Sequence, residues 1–179
     1  MIGATIYNVT VALSDADRGV YETLDVRMAR HPSESMRFFV TRLFAYALSY
    51  EEGIAFSKGG ISSTDEPPVS IRDLTGTLVA WIDVGSPAAT RLHKATKAAK
   101  RVSLFTCADV SYLEREDIHK KDEIAVTSLD ASFVDTLAER IDRRTEIEIV
   151  RTGGALYVTI GSNHFEGATL AKRLGAEQS

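Results

Sequence analysis

The chain has 179 residues, of which 44% are hydrophobic and 26% charged, and this composition excludes the disordered and fibrous classes. Its single cysteine, Cys107, excludes an internal disulfide framework and argues against a structural zinc site. The net charge of -4 means that contact with a nucleic acid would depend on a local basic surface. We expect one domain over residues 1–179, in the cytoplasm and without a membrane partner, because neither a signal-peptide pattern nor an apolar run of about 20 residues is present.

The first part of the chain predicts a strand pair followed by a helix. The segments "ATIYNVTVALSD" and "VYETLDVRMAR" alternate apolar and polar residues, as antiparallel strands do. The segment "HPSESMRFFVTRLFAYALSYEEG" then repeats apolar residues at helical spacing. Ser33 is of the N-cap type, so we expect the helix to start there and to carry Glu34 in its first turn, where an acid suits the helix dipole.

The middle of the chain predicts a hairpin and a crossover. After a short strand in "IAFSKGG", the segment "VSIRDLTGTLVAWIDVG" indicates a hairpin that turns between Leu74 and Thr77. The alanine-rich segment "AATRLHKATKAAKR" predicts an amphipathic helix that leads into the strand "VSLFTCA". A strand, a helix and a strand in this order imply a parallel crossover.

The last part predicts a strand in "EIAVTSLD", a helix around "ASFVDTLAERIDRR" and a hairpin in "EIEIVRTGGALYVTIG" that turns at residues 152–154. We expect the tail "LAKRLGAEQS" to be weakly ordered at its end. The order of elements favours an α/β or α+β domain with a mixed central sheet flanked by helices.

The central hairpin brings carboxylates towards each other. A turn centred near Gly76 places Asp83 opposite the start of the preceding strand, within a few residues of Asp65 and Glu66, and leaves Asp73 as a surface residue beside the turn. Two converging carboxylates are the minimum that Mg²⁺ or Mn²⁺ needs, so Asp65 (or Glu66) and Asp83 are candidate metal ligands. The alternative is that the loop acids are solvated and that Asp83 faces the N-terminus of the next helix.

The helix after the hairpin is basic. The residues between Val84 and Ala108 include no acid and five cations, which are Arg91, Lys94, Lys97, Lys100 and Arg101. Lys94 lies in the second turn, where its flexible stem could return the ammonium towards Asp83 to stabilise developing charge or orient water. The other four cations are candidate nucleic-acid contacts, although a solvated helix face is the simpler interpretation for Lys97, Lys100 and Arg101.

The segments "RHPSES", "DEPPVSIR", "WIDVG" and "RLHKA" resemble the YaeQ family along nearly the whole chain. This family is similar to the PD-(D/E)XK, or restriction endonuclease-like, nucleases, here with additional antiparallel strands. The resemblance implies a catalytic set of Glu34, Asp65, Asp83 and a lysine, with Mg²⁺ or Mn²⁺ as cofactor. The acid-x-lysine triplet of those nucleases is broken here by Gly85, so we expect Lys94 to supply the cation.

Two functional hypotheses follow from these residues. The first is a metal-dependent phosphodiesterase that acts on DNA or RNA, with metal on Asp65 and Asp83, Glu34 completing the shell, and Lys94 positioning water. The second is a non-catalytic regulatory module that binds a nucleic acid or a protein partner on a degenerate nuclease fold. Affinity for nucleic acid that falls steeply with salt and needs no metal would favour the second.

Overall fold

The computed structural model describes residues 3–58 and 65–176. The described residues contain three α-helices: α1 (Met36–Leu48), α2 (Ala89–Ala98) and α3 (Ala131–Ala138). They also contain ten β-strands: β1 (Thr5–Asp15), β2 (Val20–Arg30), β3 (Ile54–Phe56), β4 (Val69–Arg72), β5 (Leu78–Val84), β6 (Arg101–Thr106), β7 (Ala125–Leu129), β8 (Arg144–Thr152), β9 (Ala155–Ile160) and β10 (Asn163–Arg173). The predicted mixed α+β class is confirmed.

The chain forms two compact units. The first contains residues 3–50 and 129–169, and the second contains residues 51–58, 65–128 and 170–176. This division does not decide whether residues 1–179 form the single domain that we expect, which stays a prediction. No α-helix within residues 3–58 and 65–176 is long and apolar enough to cross a membrane.

The first unit is built on strands in the order β2, β1, β8, β9 and β10. β1 and β2 pair antiparallel along their whole length, as predicted, and β1 pairs parallel with β8. The alternating pattern buries one face, with Val9, Val11 and Leu13 of β1 almost inaccessible to solvent. α1 packs on α3, where the rings of Phe44 and Phe133 meet edge to face with centroids 6.2 Å apart.

The start of α1 differs from the prediction. The N-cap is Ser35 and not Ser33, because the Ser35 hydroxyl accepts the backbone N–H of Phe38 at 3.1 Å. Ser33 instead bonds with Nδ1 of His31 at 2.6 Å. Glu34 therefore precedes the helix and is not part of its first turn, which corrects the position that we expected for it.

The second unit contains strands in the order β7, β6, β5, β4 and β3. β4 and β5 form the predicted antiparallel hairpin, in which Val69 lies opposite Ile82 rather than Asp83. The register shifts by one residue between Ile71 and Arg72. β5, β6 and β7 pair parallel, and α2 connects β5 to β6, which confirms the predicted crossover.

Three other boundaries differ from the sequence-based expectation. β10 was not predicted, and it extends through Arg173 into the first residues of the segment "LAKRLGAEQS". The end of that segment, which we expect to be weakly ordered, lies outside the described residues. The predicted strand "IAFSKGG" forms a strand only over Ile54–Phe56, and its two glycines lie outside the described residues. α3 ends at Ala138, six residues before the end of the predicted helical segment.

Candidate functional site

Asp83 lies near the end of β5 with its side chain only 3% exposed. Its Oδ1 accepts the backbone N–H of Val84 at 3.1 Å, and its Oδ2 accepts Nε1–H of Trp81 at 3.2 Å. Trp81 and Asp83 are two residues apart on a strand and therefore face the same side of the sheet. The W-x-D spacing thus gives the buried carboxylate an indole donor.

Arg91, in the first turns of α2, is the cation that contacts Asp83. Its Nε donates to Oδ2 of Asp83 at 2.7 Å, and one terminal nitrogen donates to the backbone carbonyl of Glu66 at 2.8 Å. Its guanidinium also lies over the Trp81 ring, 5.4 Å from the centroid. Arg91 was predicted to contact nucleic acid, and the structure places it inside the site, where it joins the hairpin strand, the "DEP" loop and the helix.

Lys94 contacts the other candidate acid. Its Nζ forms an ion pair with Oδ1 of Asp65, and the two side chains are 52% and 79% exposed. The bond from Lys94 lowers the pKa of Asp65, with further lowering from the charges of Lys94 and Arg91. We expected Lys94 to turn towards Asp83, and it turns instead to the loop acid.

The two ion pairs lie side by side along α2. Arg91 and Lys94 are three residues apart, so they project from the same helix face with Cβ atoms about 5–6 Å apart. The helix therefore presents one cation to the buried Asp83 and the next to the exposed Asp65. The result is a cluster of two carboxylates and two cations, which we call the acid–base cluster (Asp65, Asp83, Arg91, Lys94).

Gly85 follows the end of β5 and has a backbone conformation that restricts which residue can stand there. Its φ is +89°, in the region that side-chain-bearing residues rarely adopt. Its N–H donates to the carbonyl of Phe105 at 2.9 Å, which fixes this turn between β5 and α2. A lysine two residues after Asp83 would be strained here, so the local backbone favours a cation from another element.

Three of the remaining charged residues of the region have other partners, and two lysines are exposed. The Glu66 carboxylate accepts the hydroxyl of Ser57 at 2.7 Å. Asp73 is a turn residue, as predicted. The hydroxyl of Thr75 donates to its carboxylate at 2.6 Å and lowers its pKa, and the backbone N–H groups of Thr77 and Thr75 lower it further. Arg101 pairs with Glu51 at 2.5 Å. Lys97 and Lys100 are exposed.

Glu34 belongs to the first unit and is buried there. Both of its carboxylate oxygens accept from the Arg42 guanidinium, at 3.0 Å each, and Arg42 also donates to the carbonyl of Ala29. Burial raises the pKa of Glu34, while the charge and hydrogen bonds of Arg42 oppose the rise. The predicted role of Glu34 in a metal shell stays a prediction, and its observed partner is Arg42.

Among residues 3–58 and 65–176, no group of three or more histidine, cysteine or acidic side chains is arranged to hold a metal ion. The acid–base cluster offers two carboxylates, the number that Mg²⁺ commonly takes from a protein while water and phosphate complete its shell. Asp65 and Asp83 are therefore the residues that could hold Mg²⁺ or Mn²⁺, and only after Arg91 and Lys94 release the oxygens they now contact.

Sequence reasoning missed two aromatic residues of this region, Trp81, described above, and Tyr112. The hydroxyl of Tyr112, in a 3-10 helix over Ser111–Arg115, donates to the carbonyl of Pro87 at 2.7 Å. Burial raises the pKa of Tyr112, and the charge of Asp83 raises it further, which indicates that the ring lies near the cluster. No motif surrounds Tyr112 in the sequence, so only the fold could reveal it.

Comparison with known proteins agrees with the resemblance seen in the sequence. A family model described as "YaeQ protein" matches residues 1–168. A relative named "Uncharacterized protein YaeQ" from Salmonella typhi is 29% identical over 168 residues, covering 91% of this chain and 92% of the relative. One of the same name from Escherichia coli (strain K12) is 36% identical over 103 residues, covering 58% of this chain and 56% of the relative.

Two crystal structures have a similar fold. The YaeQ protein from Pseudomonas syringae superimposes with a TM-score of 0.84 at 29% identity, covering 97% of each chain. The YaeQ protein from Xanthomonas axonopodis pv. citri has a TM-score of 0.84 at 24% identity, covering 95% of this chain and 98% of that one. From the match over residues 1–168, supported by these relatives, we conclude that the chain belongs to the YaeQ family.

Proposed function

We propose that the protein is a metal-dependent phosphodiesterase that acts on DNA or RNA through the acid–base cluster. The observation that carries this proposal is the presence of two successive ion pairs along one helix face: Arg91 with Asp83, then Lys94 with Asp65. Carboxylates are ligands for a hard divalent ion, and the cations beside them match a phosphate. The same four groups could therefore serve a metal and its phosphodiester substrate together.

Each residue has a defined task in this proposal. Asp65 and Asp83 would hold Mg²⁺ or Mn²⁺, which when bound supplies charge stabilisation and a more acidic water. Arg91, freed from Asp83, would donate its planar fork to a phosphate oxygen. Lys94, on the exposed side of the cluster, would orient the attacking water and offset charge that develops on the phosphate.

The burial of the two acids supports a division of labour between them. Asp83 is held by the protein from three directions and would be the fixed ligand, whereas the exposed Asp65 would adjust to the ion. The lowered pKa of Asp65 keeps its carboxylate ionised at neutral pH, the form that a metal needs.

A second candidate is a nucleic-acid-binding module without catalysis, on a degenerate nuclease fold. One observation favours it: each carboxylate of the cluster already has a cation, and Asp83 has three protein donors. In such a module the ion pairs would be structural. Binding would then need no divalent ion and would survive Asp83→Ala, provided that the variant remains folded.

A cleavage assay distinguishes the two candidates. Labelled DNA and RNA oligonucleotides are incubated with the wild-type protein and Mn²⁺ or Mg²⁺, and with a Lys94→Ala variant. Lys97→Ala is the matched control, since it removes an exposed lysine from the same helix. Cleavage that requires metal and Lys94, but not Lys97, supports the phosphodiesterase. Binding without cleavage by the wild type supports the module.

A further inference from the structure

A row of basic side chains crosses the sheet of the first unit. The strand register aligns Arg27 of β2 with Asn8 of β1, and Asn8 with Arg144 of β8. Register partners on neighbouring strands point to the same face, and all three residues are exposed. Since strands lie about 4.8 Å apart, the two arginines are separated by about 10 Å at their Cα atoms.

The row borders an open groove. Asn8, Arg143 and Arg144 line a depression of about 630 Å³ together with Ile6 and Asp142. Its walls are mainly polar, and Arg143 adds a third guanidinium next to the row. A small ligand would require a more enclosed and more apolar pocket. The shape and lining suit a charged polymer that passes over the surface.

The three arginines of this surface, Arg27, Arg143 and Arg144, have no bonded side-chain partner in the described part of the chain. Within residues 3–58 and 65–176, the side chains of Arg27, Arg143 and Arg144 form no hydrogen bond or ion pair. Several other arginines of the first unit do bond to protein groups, among them Arg18, Arg37, Arg42 and Arg151. Because the chain as a whole carries a charge of -4, this local group of free cations does not reflect a general excess of basic residues.

Acidic residues limit the extent of this basic surface. Asp142 lines the groove, and the next row along the strands contains Asp25 and Glu146. The Asp25 carboxylate accepts the hydroxyl of Thr10 at 3.1 Å. The positive surface is therefore a narrow band, which would contact only a few successive charges of a polymer.

We propose that the basic row (Arg27, Asn8, Arg144), with Arg143, binds the phosphodiester backbone of a nucleic acid. Guanidinium forks match phosphate oxygens in paired hydrogen bonds, and the Asn8 amide offers an additional donor between them. The choice of a nucleic acid over an acidic peptide rests on the proposed function, whereas the basic row itself is a feature of the first unit alone.

The test is the fluorescence anisotropy of labelled single-stranded DNA and RNA in EDTA, where metal-dependent cleavage cannot occur. Arg27→Glu and Arg144→Glu are compared with Arg115→Glu, a matched control in the second unit whose exposed guanidinium also lacks a bonded partner among the described residues. We expect each row variant to bind roughly 10-fold more weakly and to lower the salt slope by roughly 1, while the control binds as the wild type does.

Three results would overturn the inference: no binding of either oligonucleotide by the wild type, unchanged binding by both row variants, or an equal loss in Arg115→Glu. Displacement of the oligonucleotides by polyglutamate at matched charge would assign the row to acidic peptides instead. Because the assay contains no metal, a failed cleavage experiment leaves this inference standing. Conversely, cleavage unaffected by both row variants, together with unchanged binding, would remove the inference and leave the proposed function intact.

Discussion

Arg91 holds Asp83 through an Nε–Oδ2 contact of 2.7 Å while its own guanidinium lies over the ring of Trp81. The same arginine donates to the carbonyl of Glu66, so a single side chain ties the end of β5 to the "DEP" loop. The buried carboxylate at the strand end is thus neutralised by the helix that follows it. The stability of this region and its proposed chemistry both depend on this pair.

We predict that Arg91→Ala lowers the free energy of unfolding by about 2 kcal/mol, because it leaves the Asp83 carboxylate buried without a counter-charge. This value is smaller than that for a fully buried ion pair, since the Arg91 side chain is 21% exposed. Urea unfolding measures the change. Lys97→Ala, which removes an exposed cation from the same helix, should leave the unfolding midpoint unchanged. A loss of the same size in both variants would indicate a general helix effect and contradict this account.

We predict that Lys94→Ala lowers cleavage by about 100-fold, as the loss of one charge-stabilising group does in other enzymes. Because Lys94 and Asp65 are both largely exposed, their pair should contribute little to stability. The melting temperature should therefore change by less than about 2 °C. A variant with normal cleavage, or one that loses cleavage only because it unfolds, would refute the assigned role.

Glu34 provides a prediction about pH. Its pKa is raised above the ordinary value of 4.5 by burial, so the native state binds more protons than the unfolded state as the pH passes between the two values. The stabilisation that Glu34 contributes is fully present below its pKa in the unfolded state. It is lost as the pH rises through its pKa in the folded state. The free energy of unfolding of the wild type, relative to Glu34→Gln, should therefore fall as the pH is raised above the ordinary value of 4.5. If the difference in free energy of unfolding rose with pH instead, the charge and hydrogen bonds of Arg42 would affect the pKa of Glu34 more than burial does.

Gly167 provides a prediction about the first unit. A Cβ at this position would lie 2.8 Å from ring atoms of Phe133, closer than real contacts allow. Gly167→Ala should therefore cost about 1–3 kcal/mol in the free energy of unfolding. Gly3→Ala, which places the methyl group in open space, is the control. Phe133→Leu in the Gly167→Ala background should recover part of the loss, and no recovery would show that crowding is not the cause.

The strand pair β1–β2, the central hairpin and the β5–α2–β6 crossover could all be predicted from the sequence. Apolar alternation and turn residues are local patterns, and they persist in the fold. The start of α1 could not be settled in this way, since Ser33 and Ser35 are equally good caps by type. In the structure the Ser33 hydroxyl bonds to His31 and the Ser35 hydroxyl accepts the backbone N–H of Phe38, a choice that residue type alone does not decide.

The sequence also could not predict which cation pairs with which acid in the acid–base cluster. Spacing placed Lys94 close enough to reach back to the hairpin, but it could not decide which acid it would meet. Arg91 is one turn nearer to the strand end and takes Asp83, so Lys94 extends to Asp65. β10 was missed because the less exposed positions along it are Asn163, Phe165, Gly167 and Thr169, of which only Phe165 is a large apolar residue, so the sequence shows no apolar alternation there. Its pairing with β9 identifies it as a strand.

The most direct test of the account is a calorimetric titration of Mn²⁺ into the wild type, Asp65→Asn and a control, Asp122→Asn. Asp65 is exposed, so its variant should fold normally, and Asp122 is an exposed acid away from the cluster's ion pairs. We expect one binding site in the wild type and the control, and an affinity roughly 10-fold lower in Asp65→Asn. Equal affinity in all three proteins, or no binding by the wild type, would contradict it.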